Sequence, residues 1–133
     1  MNDTQDLHSR RPLSPHLQIY KPQMTSTLSI FHRICGVSMI FGTLLLAWLL
    51  VAAATGEDAF NQFSWFVQTP VGLLMLFGWS FALYYHMCNG VRHLIWDMGF
   101  LFKIENAKRG GWAVLVVSAL LTGATWFCAY GGF

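Results

Sequence analysis

The chain has 133 residues, about one domain's length, and 55% of them are hydrophobic while only 11% are charged, less than half the roughly 25% charge of a soluble domain. That is the composition of an integral membrane protein, and the formal net charge of +2 is too small and too scattered for a nucleic-acid-binding surface. Cys35, Cys88 and Cys128 all fall in apolar segments and none belongs to a Cys-x-x-Cys pair; they read as buried packing residues, not as a disulfide framework or an iron–sulfur ligand set.

Residues 1–24 read as a polar arm punctuated by Pro12, Pro15 and Pro22. Leu13, Leu17 and Tyr20 stand at i, i+4, i+7, but the prolines leave room for only a short helical turn. The arm is expected along the membrane surface or against a soluble partner. No cleaved secretory signal is expected, because the first 28 residues lack an apolar core, and Asp3 and Asp6 argue against an organelle-targeting peptide. Residues 25–133 read as a three-helix transmembrane anchor, with spans at about 28–54, 67–96 and 112–130. Thr25, Ser26 and Thr27 are good N-cap candidates for the first span, and the uncharged run from Ile34 to Ala54 is long enough to cross a core of about 30 Å. Gly56, Glu57, Asp58 and Asn61 read as a short acidic connection. Pro70 falls in the first turn of the second span, where proline is tolerated. Lys103 to Gly111 reads as the next connection, and Trp112 to Tyr130 as an uncharged third span. The fold class is therefore all-α: an integral membrane bundle of three transmembrane helices with a polar N-terminal arm.

Arg10, Arg11, Lys21 and Arg33 precede or open the first span, and Lys103, Lys108 and Arg109 lie between the second and third. The positive-inside rule puts the N-terminus and that second connection on the cytoplasmic or matrix side. Trp65, Trp96, Trp112 and Tyr130 fall near the expected interfaces, where amphipathic rings are favoured.

The second span ends in the costliest residues of the chain. His86, Arg92, His93 and Asp97 follow a long apolar run, and ionisable groups in a membrane helix are expensive unless paired or used. His86, Gly90 and His93 form one stripe, with the two histidines roughly 10.5 Å apart along the axis. A neutral imidazole is a common haem ligand, but two histidines on one face of one helix cannot clamp an iron from opposite sides. His86 lies roughly 15 Å deeper than Trp96. It reads either as an axial ligand or as a histidine satisfied by a neighbouring helix's carbonyl or hydroxyl. His93, nearer the interface, reads rather as a hydrogen bonder. On the first span Ser29, His32, Arg33 and Gly36 share a face by their i, i+3, i+4, i+7 spacing. Arg33 either snorkels to head groups or supplies a fixed cation to a haem propionate or a quinone oxygen. Ser29 is a local backbone bonder or a donor to a quinone carbonyl. Asp97 caps, pairs with Arg92 or Arg33, or relays protons.

Arg11-Pro12-Leu13-Ser14-Pro15-His16-Leu17 with Ile19-Tyr20-Lys21, then Ser29-Ile30-Phe31-His32-Arg33 with Gly36, then His86 with Asn89-Gly90-Val91-Arg92-His93-Leu94-Ile95-Trp96-Asp97, resembles the cytochrome b membrane anchors of succinate dehydrogenase, respiratory complex II. The match is nearest the mitochondrial and alphaproteobacterial branch. The resemblance implies that His86 is the haem b axial ligand and so binds its iron, with the opposite ligand coming from a second, smaller membrane-anchor subunit. It implies that His32 and Arg33 lie near the haem propionates, that Ser29 and Arg33 line the ubiquinone site, and that Asp97 lies near that pocket. It further implies a flavoprotein subunit that oxidises succinate and an iron–sulfur subunit that carries the electrons to ubiquinone. The expected location is the bacterial inner membrane, or the mitochondrial inner membrane for an organelle-encoded chain. Two alternatives stay open: the anchor of a quinol:fumarate reductase, or a structural membrane subunit without haem.

Overall fold

The computed structural model describes residues 21–100 and 102–131, and among these it has four helices and no strand: α1 (Met24–Thr55), α2 (Glu57–Gln68), α3 (Pro70–Asp97) and α4 (Ile104–Gly131). The arm's expected short turn at Leu13, Leu17 and Tyr20 lies outside the described residues. α1, α3 and α4 are each long and apolar enough to cross a membrane. At 1.5 Å per residue, the 32 residues of α1 rise about 48 Å and the 28 residues of α3 or α4 about 42 Å. Both exceed the roughly 30 Å hydrocarbon core, so each helix can span it with turns to spare.

The start of α1 is set by tertiary contacts more than by a cap. The Ser/Thr cluster does not cap α1: the N-cap is Gln23, without a side-chain bond, and Thr27 Oγ1 donates back to the Gln23 carbonyl at 3.2 Å. α1 begins this early because Met24 and Leu28 dock on Gly111 of α4, where an added Cβ would lie 2.5 Å from Leu28 Cδ1. For the same reason α4 begins at Ile104, well inside the stretch expected to be a connection. The acidic connection is itself largely the helix α2. Gly56, at a φ of 137° that side-chain-bearing residues rarely adopt, turns the chain out of α1. Glu57 and Asp58 then favour the new helix by sitting at its positive N-terminal end. Phe63 and Phe66 hold it against Trp48, each with ring centroids 5.2 Å away.

Val67, the expected start of the second span, belongs to α2. α3 begins instead at Pro70, where the Thr69 hydroxyl accepts the Gly72 N–H at 3.1 Å. It ends in a Schellman motif. Phe100 N–H reaches back to the Ile95 carbonyl at 3.1 Å and Gly99 N–H to the Trp96 carbonyl at 2.8 Å, with Gly99 at φ 90°. That closure fixes the helix end directly after Trp96 and Asp97.

The packed centre is small and the bundle is polar inside. Leu28, Cys35, Ala82, Tyr85 and Val114 form the buried apolar cluster. Asn89, Arg92, Ser118 and Thr122 are buried beside it, while Phe41, Leu44, Leu74 and Leu120 are exposed. In lipid, apolar surface gains nothing by turning inward and polar groups lose by turning outward, so this distribution is that of a membrane bundle. The packing role expected for the cysteines fits buried Cys35 and half-buried Cys88, but Cys128 is exposed on α4.

Candidate functional site

α1 and α3 cross so that the polar face of each meets the other, and the face expected on α1 divides between two sites. His32 and Gly36 turn to His86. The rings of His32 and His86 stack with centroids 4.0 Å apart and planes 9° from parallel. His86 Nδ1 lies 3.2 Å from the His32 main-chain carbonyl, and a Cβ added to Gly36 would stand 3.0 Å from His86 Cε1. A carbonyl only accepts, so His86 donates from Nδ1, which leaves Nε2 as the ring nitrogen able to offer a lone pair. A pinned Nδ1–H with a free Nε2 is the arrangement that orients metal-bound imidazoles. The two readings of His86 therefore meet on one ring, satisfied at one nitrogen and competent to ligate at the other.

His93 is engaged differently. Arg92 Nη1 donates to Asn89 Oδ1 at 3.2 Å, and since guanidinium nitrogens only donate, the Asn89 amide is fixed with its Nδ2 toward His93. Nδ2 stands 3.4 Å from His93 Nε2, which must accept, so that lone pair faces Asn89 and not a metal. His93 also touches His32 edge-on, with centroids 5.4 Å apart. Three imidazoles thus sit together without converging: stacking confines the in-plane lone pairs of His32 and His86 to separate, near-parallel planes. Among the described residues no group of three or more His, Cys, Asp or Glu could hold a bare metal ion. One free imidazole nitrogen suits iron already held in a macrocycle, so the donor set fits an axial haem ligand. His32 Nδ1 is buried with no partner among the described residues, a polar atom that calls for water or a group from outside the chain.

Ser29 and Arg33 turn the other way, into a cavity of about 410 Å³, within the roughly 300–1,000 Å³ of small-molecule sites. Thr25 and Ser26 extend the hydroxyl-bearing wall from α1, and Arg92, His93 and Trp96 supply the wall from α3. Among the described residues the lining includes two arginines and no acidic residue. Asp97 is exposed at the end of α3 and is not among the lining residues. Arg92 is instead held by Asn89, by the Ala107 carbonyl at 2.9 Å and by the face of Trp96. Thr25, Ser26, Arg92 and Trp96 were not assigned to the cavity by sequence reasoning. Thr25 was legible, since Thr25, Ser29 and Arg33 lie in one i, i+4, i+8 row.

Three long apolar helices with ionisable side chains gathered between two of them define a multi-pass membrane subunit with an internal polar site. The chain matches the succinate dehydrogenase/fumarate reductase transmembrane subunit family over residues 8–125. It is 43% identical to the succinate dehydrogenase cytochrome b556 subunit of Rickettsia felis over 122 residues, 92% of this chain and 95% of that one. It is 41% identical to the cytochrome b556 subunit of Paracoccus denitrificans over 111 residues, 84% and 85% of the two chains. With the cytochrome b560 subunit of Marchantia polymorpha it shares 40% over 121 residues, again 84% and 85%. The chain belongs to the succinate dehydrogenase/fumarate reductase transmembrane subunit family.

Proposed function

We propose that the chain anchors a succinate:ubiquinone oxidoreductase, gives haem b one axial ligand from His86, and forms part of the site where ubiquinone is reduced. The observation that carries this reading is a seam on α1. His32 lies on the ring of His86, while its neighbour Arg33 enters the polar cavity with Ser29. Consecutive residues of α1 thereby serve both places: His32 supports the candidate ligand His86, and Arg33 enters the hydroxyl-bearing cavity. Relatives named as cytochrome b subunits support haem at the first of these.

Haem would supply a one-electron iron centre when bound; His86 Nε2 would hold it, and His32, stacked on the His86 ring, and Arg33 would be its propionate partners. In the cavity the Ser29 hydroxyl donates to a quinone oxygen and Arg33 stabilises negative charge that develops there. Donors placed in advance of the reaction need no reorganisation as that charge builds. The flavoprotein and iron–sulfur subunits supply the electrons from succinate. A second, smaller anchor subunit would cover the open side of His86 and provide the other iron ligand. Lipid and that subunit cover the exposed apolar faces of α1, α3 and α4. The complex sits in a bacterial or mitochondrial inner membrane, with the N-terminus on the cytoplasmic or matrix side.

In the purified complex, Arg33→Ala lowers the rate of ubiquinone reduction by about 10²-fold, the order seen when a positioned charge stabiliser is removed. Succinate-driven reduction of a soluble dye stays at the wild-type rate. Equal loss of both activities contradicts the quinone site.

A further inference from the structure

Arg92 is the most buried charge among the described residues. It is 4% exposed, and the groups that hold its guanidinium are all neutral. Nη1 donates to Asn89 Oδ1 at 3.2 Å and Nη2 to the Ala107 carbonyl at 2.9 Å. Nε is buried without a partner among the described residues. The guanidinium carbon lies 4.1 Å from the centroid of the Trp96 ring. A charge buried at this cost, without a counter-ion among its contacts, calls for a use.

The geometry points to that use. Two anchors on different helices fix the planar fork, Asn89 one turn before it on α3 and Ala107 in the first turns of α4. A fixed guanidinium plane lying over an indole restricts the indole's own rotation. Trp96 is further boxed by His93, whose ring meets it edge-on with centroids 5.1 Å apart, and by the helix end that follows at once through Gly99. Trp96 in turn lines the cavity that Ser29 and Arg33 enter. We propose that Arg92 is a positioning residue of the quinone cavity: it sets the plane of the Trp96 indole, the flat wall against which a quinone ring lies. This rests on the quinone reading of that cavity.

Lysine keeps the charge at position 92 but lacks both the fork and the flat face, so Arg92→Lys is the informative change. In the purified four-subunit complex, Arg92→Lys raises the KM for a short-chain ubiquinone about five- to tenfold, between the sizes of an exposed and a desolvated cation–π contact, with a smaller change in kcat. Trp96→Leu has a similar effect, and the double variant is no worse than the worse single one. Effects that multiply, or a wild-type KM in Arg92→Lys, overturn the proposal. If Arg92→Lys does not assemble, Asn89→Ala removes one anchor while keeping the arginine, and the same non-additivity with Trp96→Leu is required. In complex labelled with 5-fluorotryptophan, the resonance missing from Trp96→Leu is that of Trp96. It shifts and broadens in Arg92→Lys, and an unmoved resonance overturns the positioning role whatever the kinetics. Unimpaired quinone reduction in Arg33→Ala, by contrast, removes the quinone reading itself while that resonance still reports the ring contact.

Discussion

The Nδ1 of His86 meets the main-chain carbonyl of His32 at 3.2 Å, and the same two residues stack their rings 4.0 Å apart. One residue of α1 therefore fixes both the tautomer and the plane of the imidazole on α3. A hydrogen bond alone leaves a ring free to swing about it, and stacking alone leaves the protonated nitrogen undefined. Together they present Nε2 in one direction only.

Gly36 guards this arrangement. A Cβ there would lie 3.0 Å from His86 Cε1, close enough that the ring must yield by a few tenths of an ångström for alanine and much further for a branched side chain. Gly36→Ala is expected to keep its pigment with a displaced haem midpoint potential. Gly36→Val is expected to lose more than half of the pigment per complex. Haem-to-protein ratios of the two purified variants check this, and full pigment in Gly36→Val contradicts the placement of His86 against α1.

Deeper along the same helix pair, Gly42 makes room for Trp79. A Cβ at 42 would overlap the Trp79 indole at Nε1, so the indole must leave its place. Overpacking of this kind costs about 1–3 kcal/mol. Gly42→Ala is expected to lower the thermal midpoint of the detergent-solubilised complex, and Trp79→Leu in the same chain to recover most of the loss. Destabilisations that simply add contradict the contact.

The basic residues give the orientation a direct check. Glu57 opens α2 and Lys108 lies in the first turns of α4, and both are exposed. With Cys128 replaced by serine, Glu57→Cys is expected to react with an impermeant maleimide added outside intact cells, and Lys108→Cys only after permeabilisation. The reverse pattern contradicts the orientation drawn from the charge distribution.

Much of this architecture was legible in the residues. Uncharged runs such as Ile34 to Ala54 mark membrane helices because lipid tolerates little else. The i, i+4 pair of Ser29 and Arg33 marked the cavity wall on α1. α2 was missed because its polar composition resembles a loop; what holds it is the packing of Phe63 and Phe66 on Trp48, which no local pattern states. Its signal was Ala59, Phe63 and Phe66 at i, i+4, i+7 behind two acidic residues. The early start of α4 was hidden by Gly110 and Gly111, which read as breakers, whereas Gly111 is there to admit Leu28. Trp96 reads as an interface ring and Arg92 as a partner for Asp97, and only the burial of Arg92 against Asn89 and the first turns of α4 shows what holds it.

The most direct test is the reduced-minus-oxidised absorbance spectrum of the purified complex, wild type against His86→Ala. The account predicts sharp bis-histidine haem b bands in the wild type and their loss or strong displacement in the variant, with the chains still co-purifying. Bands unchanged by His86→Ala contradict it.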